Sequence, residues 1–184
     1  MKKTFLLIVM ALFAINSFAQ EEVTPKYVPN GYQGFFEEGN AWHFDKNMPT
    51  TVQISTTHGF YFNDCIYAGL GVGWEFNSDY FLMPFYTNLR YVFINNKSIS
   101  PIVSLRLGSY ISSNMGAYGD LAVGVRFASI KGFAVSVLVT GSYYDKLDYS
   151  YTVETVDDQG YWHYNTVEDK INPSGISLRV GIEW

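Results

Sequence analysis

The nine residues ISLRVGIEW, at positions 176–184, alternate apolar and polar side chains up to a tryptophan. Successive side chains of a β-strand point to opposite faces, whereas apolar residues of a helix recur about every 3.6 positions. The alternation therefore predicts a strand with one wholly apolar face. That face carries Ile176, Leu178, Val180, Ile182 and Trp184.

Seven earlier segments show the same period of two. They are GYQGFFEEG, TVQISTTHGFYF, CIYAGLGVGWEF, YFLMPFYTNLRYVFI, PIVSLRLGSYIS, DLAVGVRFASI and FAVSVLVTGSYYD. Most approach the roughly 9–11 residues that a tilted strand needs to cross a bilayer, and their connections tend to alternate between short and long. The sequence therefore predicts an all-β fold, an eight-stranded antiparallel up-and-down transmembrane barrel over residues 31–184. The adjacent Phe35 and Phe36 leave the phase of the first strand open.

The first 19 residues have the three parts of a cleaved secretory signal. Two lysines precede an apolar run at residues 5–15, and Ser17 and Ala19 flank Phe18 before the expected cleavage site. The run is shorter than the roughly 20 residues of a membrane-spanning helix. We expect residues 1–19 to be removed, residues 20–30 to form a periplasmic segment, and the barrel to reside in the outer membrane of a Gram-negative bacterium.

The charge and the aromatic content of the chain indicate which kind of partner to expect. The formal net charge is −5 and basic residues do not cluster, which argues against nucleic acid. Fifteen tyrosines and 14 phenylalanines suit strands, and the aromatic residues of the apolar faces form two bands, as the two lipid–water interfaces favour. One band contains Phe60, Phe62, Phe93, Phe127, Phe133 and Trp184; the other contains Trp74, Phe76, Phe81 and Tyr143.

The C-terminal pattern also carries a family resemblance. ISLRVGIEW resembles the signal of bacterial outer-membrane proteins that the barrel-assembly machinery reads, although phenylalanine is the usual last residue there. The segments THGFYFNDCIYAGLGVGWEF and PFYTNLRYVF look like porin-family barrels without an assigned activity. Residues 31–184 thus resemble small barrels of the OmpA/OmpX type. The resemblance implies an architecture, membrane lipid and the assembly machinery as partners, but no activity.

With the apolar faces toward lipid, charged side chains point into the barrel. The predicted lumen charge cluster contains Arg90, Arg106, Arg126, Arg179, Glu75 and Glu183. Either Glu37 or Glu38 adds a third acid. Because side chains fill the interior of an eight-stranded barrel, the arginines must pair with acids or hold water. We interpret the cluster as a salt-bridged plug; the alternative is a narrow pore for ions or small solutes.

The sequence gives little support for a catalytic or a metal-binding site. His43 and His163 fall in predicted outer loops, and His58 has the lipid-facing phase unless a bulge near Gly59 turns it inward. We assign no catalytic residue, since no Ser/His/acid spacing stands out. Scattered histidines and the single Cys65 predict neither a metal site nor a cofactor nor a disulfide.

The last long connection, residues 145–174, is the most individual segment. Two alternating arms surround DDQG, which predicts an extracellular hairpin, and seven acids stand against two lysines. Aromatic side chains supply contact area of the kind found at interfaces, for a protein or glycan ligand that the sequence does not identify. The candidate surface contains Tyr149, Tyr151, Asp157, Asp158, Tyr161, Trp162 and Tyr164.

The sequence leads to one principal functional hypothesis and three alternatives. The principal one is a non-enzymatic integral outer-membrane barrel with a structural or surface-interaction role. The alternatives are the narrow pore, a lipid-modifying enzyme with a catalytic cluster at the rim, and a secreted lipocalin-like barrel that binds a ligand inside. In the lipocalin-like barrel the arginine-bearing faces would lie outside and the tryptophans inside, which argues against it.

Overall fold

The computed structural model describes residues 31–45, 48–77, 81–93, 99–111, 115–128, 132–145, 147–156 and 161–184. The predicted signal and periplasmic segment lie outside these residues, as do Asp157 and Asp158. No helix in the described part is long and apolar enough to cross a membrane. The strands are β1 (Gly31–His43), β2 (Thr51–Tyr61), β3 (Ile66–Phe76), β4 (Phe81–Val92), β5 (Ile99–Ile111), β6 (Met115–Ala128), β7 (Ala134–Tyr144), β8 (Leu147–Val156), β9 (Trp162–Ile171) and β10 (Ser174–Glu183).

Eight of these strands close into one barrel. Their order around the wall is β1-β10-β7-β6-β5-β4-β3-β2, and β1 and β2 pair side by side to complete the circle. Every neighbouring pair is antiparallel. The predicted closed eight-stranded antiparallel barrel is therefore confirmed.

The remaining two strands, β8 and β9, form a separate two-stranded sheet between β7 and β10. This hairpin lies within the segment 145–174 where the sequence placed one. It projects from one end of the barrel, called here the hairpin end. The opposite end, which holds Gly31 and Trp184, is called the terminal end.

Two strands extend further than the sequence indicated. The residues from Asn40 onward were expected in a loop, yet β1 continues to His43, whose backbone lies opposite Gly175 of β10. A loop was also expected up to Tyr118, but β6 begins at Met115. Pairing with β10 prolongs β1 to His43, and pairing with β5 prolongs β6 back to Met115, although polar and glycine residues have low strand propensity.

Burial alternates along the barrel strands in the way that a polar lumen and an apolar outer wall require. In β4, for example, Phe81, Phe85 and Leu89 are exposed, while Asn88 and Arg90, on either side of Leu89, are buried. Large apolar side chains are exposed over the wall because they point away from the lumen.

Pro84 lies inside β4, on the lumen side, whereas a proline in a sheet is normally found on an edge strand or at a bulge. The register between β3 and β4 is the same before and after it, but Gly73 and Trp74 have no ladder partner opposite Met83 and Pro84. Proline has no backbone N–H to donate, so pairing is interrupted locally without an extra residue.

The seam between β1 and β10 includes the last residue. The backbone N–H of Trp184 donates to the carbonyl oxygen of Gly34 at 3.0 Å, and the N–H of Gly34 donates back to Trp184 at 3.0 Å. The indole lies over Gly34, where a Cβ would come within 2.7 Å of it, and remains 48% exposed. Trp184 thus extends the pairing of the closing strand and points outward.

His58 lies on the outward face of β2, as its sequence phase predicts, because no bulge interrupts the ladder at Gly59. The two ring nitrogens of His58 are hydrogen-bonded to Tyr32 Oη at 2.6 Å and to Thr56 Oγ1 at 3.0 Å. The imidazole is therefore held by two neighbouring side chains of the same wall.

Candidate functional site

The interior of the barrel gathers the charged side chains of the sequence. All six residues of the predicted lumen charge cluster are buried there, together with Glu37 and Asp120. The cluster divides into three groups along the barrel axis. The central group, called here the lumen network, consists of Glu37, Arg90, Arg106, Asp120 and Arg179.

Glu37 forms the centre of the lumen network. Its carboxylate makes ion pairs with both Arg90 and Arg106, and Nη1 of Arg179 lies 4.0 Å from its Oε2. These partners come from β4, β5 and β10, so the one carboxylate on β1 connects strands across the lumen. Glu37 is a single acid between three guanidinium groups. Compensation of their positive charge therefore depends mainly on this residue.

Asp120 compensates the rest of the positive charge. Nη1 of Arg179 lies 3.0 Å from Oδ2 of Asp120, and Nη1 of Arg106 lies 3.9 Å from the same oxygen. The Tyr118 hydroxyl also donates to that oxygen. Arg179 donates in addition to Thr140 Oγ1 through Nε at 3.0 Å and Nη2 at 2.7 Å. Three arginines thus share two carboxylates and a hydroxyl.

Glu75 organises a second group toward the hairpin end. Thr51 donates to its Oε1 at 2.5 Å, Gln53 donates to its Oε2 at 2.9 Å, and Tyr144 donates to Oε2 as well. Nε2 of His43 lies 3.0 Å from Oε1. The sequence had placed His43 in a solvated loop; that was wrong, because β1 is longer than expected and its last side chain turns into the lumen.

The group around Glu75 does not have the geometry of a nucleophile relay. Both Thr51 Oγ1, at 3.1 Å, and Glu75 lie at the same nitrogen, Nε2 of His43. A relay joins a hydroxyl to one ring nitrogen and a carboxylate to the other. Nδ1 of His43 is buried and has no hydrogen-bond partner in the described part of the chain. The arrangement can fix Glu75 in place but does not activate Thr51.

The third group is a single ion pair at the terminal end. Nε of Arg126 donates to Oε2 of Glu183 at 2.8 Å, and Nη2 donates to Oε1 at 3.0 Å. Such a two-point pair matches the planar guanidinium to the planar carboxylate. It joins β6 to β10, the strand that closes the barrel.

Apolar layers enclose the lumen network on both sides. The layer toward the hairpin end consists of Met48, Leu82, Tyr86, Tyr110, Tyr118, Tyr144 and Leu147. The layer toward the terminal end consists of Phe35, Tyr61, Tyr67, Val92, Ile102, Ala122 and Leu138. Arg90 stacks over the Phe35 ring at 4.1 Å and Arg106 over the Tyr86 ring at 4.6 Å, which joins the charges to these layers.

The space left inside is small. A cavity of about 10 Å³ lies between Gln53, Glu75 and Arg106, close to the smallest volume that holds one water molecule. Gly71 makes room on the lumen side of β3, because a Cβ there would overlap the Tyr86 ring. The described side chains therefore fill the lumen at its middle.

Two acids of the lumen were not assigned from the sequence. The choice between Glu37 and Glu38 stayed open, and the structure places Glu37 inward and Glu38 on the outer wall. Asp120 is the first residue of the predicted segment DLAVGVRFASI, but it was not included in the lumen charge cluster. Asp120 and Arg126 are six positions apart, and this even spacing alone indicates that both point to the same face of the strand.

The hairpin exposes three of its predicted surface residues. Tyr161 is 66%, Trp162 62% and Tyr164 67% exposed. In the ladder Trp162 lies opposite Val156 and Tyr164 opposite Glu154, so the open face of the hairpin carries two aromatic side chains beside one apolar and one acidic side chain. Tyr149 and Tyr151 pair through their backbones with Asp169 and Val167, and the structure does not describe their side chains.

Comparisons with known proteins identify the fold and no family. No protein-family model and no curated protein matches the chain. Neisserial surface protein A has a similar structure at 11% identity, with 83% of this chain and 94% of that chain covered and a TM-score of 0.57. The N-terminal β-barrel domain of Pseudomonas aeruginosa OprF follows at 13% identity, coverages of 88% and 100%, and a TM-score of 0.49. A designed transmembrane β-barrel is 9% identical, with 86% of this chain and 99% of that chain covered and a TM-score of 0.49.

Proposed function

We propose that the chain is an integral outer-membrane barrel whose lumen is filled by its own side chains and whose hairpin faces the outside of the cell. One observation carries the proposal: the barrel buries its arginines and exposes many large apolar and aromatic side chains over its outer wall. Exposed apolar side chains include Leu70, Leu89, Leu107, Leu121 and Leu178. A barrel in water has the opposite distribution, whereas a barrel in lipid requires this one.

The same distribution argues against a lipocalin-like barrel. A ligand-binding barrel in water needs an apolar cavity, but the middle of this lumen holds ion pairs and a space of about 10 Å³. Membrane lipid is therefore the first partner that we propose. The second is the barrel-assembly machinery, which the alternating face that ends at Trp184 would contact before the β1–β10 seam forms.

The hairpin is the proposed site of surface interaction. Its exposed Trp162 and Tyr164 lie on one face, outside the barrel wall. Aromatic side chains give interfaces much of their contact area. The proposed role is thus structural at the barrel and adhesive at the hairpin, for a protein or glycan ligand.

Membrane fractionation followed by electrophoresis of unheated and boiled samples tests the proposal. We expect the protein in the outer-membrane fraction, with a faster band in the unheated sample because the closed barrel stays compact in detergent. The unrelated soluble proteins of the same periplasmic extract serve as the fractionation control. A soluble protein whose migration does not depend on heating would contradict the proposal.

Single-channel recording tests the filled lumen against the narrow pore. We expect planar bilayers that contain the folded protein to show no discrete conductance, because the lumen network lies between two apolar layers. The boiled protein is the control for leakage by unfolded chains. Reproducible unitary currents from the folded protein alone would favour the pore.

A further inference from the structure

Two polar side chains on the outer wall of β1 lie where lipid tails are expected. Glu38 and Asn40 point outward, because they alternate with the buried Glu37, Gly39 and Ala41. Glu38 follows Glu37, the middle residue of this 13-residue strand, so it lies near the middle of the wall. Both side chains are partly exposed. If the barrel spans a membrane, as proposed above, this carboxylate faces the hydrocarbon core.

These two residues differ from the threonines of the wall in lacking partners within the described ranges. Thr56 Oγ1 donates to the Phe35 carbonyl oxygen at 3.1 Å, and Thr87 Oγ1 donates to the Leu107 carbonyl oxygen at 3.0 Å. The carboxylate of Glu38 and the amide of Asn40 have no hydrogen bond or ion pair within the described ranges. Ionisable groups inside a membrane are costly, and they generally face protein or water rather than lipid.

Lateral neighbours of Glu38 offer no compensation. It lies opposite Ile54 of β2 and Val180 of β10, and Asn40 lies opposite Val52 and Leu178. The four arginines of the described barrel strands all point inward. Within the described ranges no donor reaches Glu38, and on the same strand of a second copy the Asn40 amide is a donor at a similar height.

We propose that the outer face of β1 is a dimer interface, in which Glu38 of each copy accepts a hydrogen bond from the Asn40 amide of the other. Two copies inserted in the same direction are related by an axis along the membrane normal. Their facing β1 strands then cross, because each strand is tilted by about 40° with the same hand.

The dimensions allow both hydrogen bonds at once. With the crossing at Gly39, Glu38 of one copy lies directly below Asn40 of the other, about 5 Å lower at a strand rise of about 3.3 Å per residue. Packed sheets lie about 10 Å apart. The two Cα atoms are then about 11 Å apart, which the Glu and Asn side chains and one hydrogen bond of about 2.9 Å span together.

Fluorescence energy transfer in vesicles tests the dimer. The native Cys65, in the turn after β2, is labelled in urea with donor or acceptor, and the mixture is refolded into phosphatidylcholine vesicles over a series of protein-to-lipid ratios. We expect saturable transfer for the unmodified sequence. For Glu38→Leu we expect a dimer dissociation constant raised about tenfold, because both hydrogen bonds are lost.

Three further variants make the test specific to this pair. Glu38→Gln keeps an acceptor and is expected to retain the dimer, whereas Asn40→Asp replaces the donor by a second acceptor and is expected to weaken it at least as much as Glu38→Leu. Ser109→Leu removes an exposed hydroxyl on β5, on the opposite side of the barrel, and is expected to leave transfer unchanged.

Each preparation is first checked for the heat-dependent band shift, which separates this inference from the proposed function. Absence of the shift in the unmodified protein contradicts the membrane barrel itself. A normal shift with transfer no greater than random mixing, or with equal effects of Glu38→Leu and Ser109→Leu, contradicts the dimer alone and indicates that Glu38 faces lipid.

Discussion

Replacement of Glu37 by glutamine is expected to lower the free energy of unfolding by about 3 to 5 kcal/mol. The substitution keeps the size of the side chain but removes the negative charge between Arg90, Arg106 and Arg179. Asp120 is then the remaining carboxylate of the lumen network, and buried guanidinium groups lose their compensation. Urea titration of the protein in lipid vesicles, followed by tryptophan fluorescence, measures the change.

The neighbouring Glu38→Gln is the matched control, because it makes the same chemical change on the other face of the same strand. We expect it to change the free energy of unfolding by less than about 1 kcal/mol, since Glu38 has no ion pair with the described residues. Equal effects of Glu37→Gln and Glu38→Gln would show that the lumen network does not hold the barrel together.

The Arg126–Glu183 pair is expected to show a coupling energy of about 3 kcal/mol in a double-mutant cycle. Either Arg126→Met or Glu183→Met alone leaves one charge buried near the terminal end without its two-point partner. The double variant leaves no charge there, and its two methionines fill a similar volume. We therefore expect the double variant to be more stable than at least one of the single variants.

Urea unfolding of the four proteins in the same vesicles checks this cycle. The Ser109→Leu variant is a useful reference for a substitution on the outer wall. Additive effects of Arg126→Met and Glu183→Met would mean that each residue is stabilised by other neighbours, and the pair would then have no special part in closing β10 onto the barrel.

The period of two in the sequence predicted the barrel because a closed sheet with a polar lumen and an apolar outer wall imposes one rule on every strand. Leu178 and Arg179 show the rule at its clearest, with the apolar side chain outside and the charged one inside. The parity of each arginine in the sequence was therefore sufficient to place it in the lumen.

This reasoning did not settle which residues of the first strand point inward. Two successive aromatic residues, Phe35 and Phe36, fit either choice of inward face. Phe35 points inward and lies 4.8 Å from Tyr67, measured between ring centroids, whereas Phe36 points to the outer wall. An aromatic side chain fits a tyrosine layer inside as well as lipid outside, so hydrophobicity alone does not decide. The partners of Glu37, which come from β4 and β5, decide it, and a single sequence does not display those long-range contacts.

The position of His43 was missed for a related reason. Asn40 and His43 have little strand propensity, and their segment reads as polar. Pairing with β10 keeps the backbone extended as far as His43, and Glu75 from β3 supplies the partner of the imidazole. Strand ends near the rim depend on such partners and are the least predictable part of a barrel.

The pairing of β1 with β10 has a consequence for the order of folding. Phe35 lies opposite Glu183, so this ladder joins segments separated by nearly the whole chain, whereas the other ladders join strands that are neighbours or close in sequence. Contacts between distant segments carry the largest loop-closure entropy and form slowly. The seam should thus form last, and because Glu37 lies on β1, its arginines remain hydrated until then. We therefore expect β1 and β10 to pair, water to leave the lumen and the arginines to be neutralised together, in a single late step.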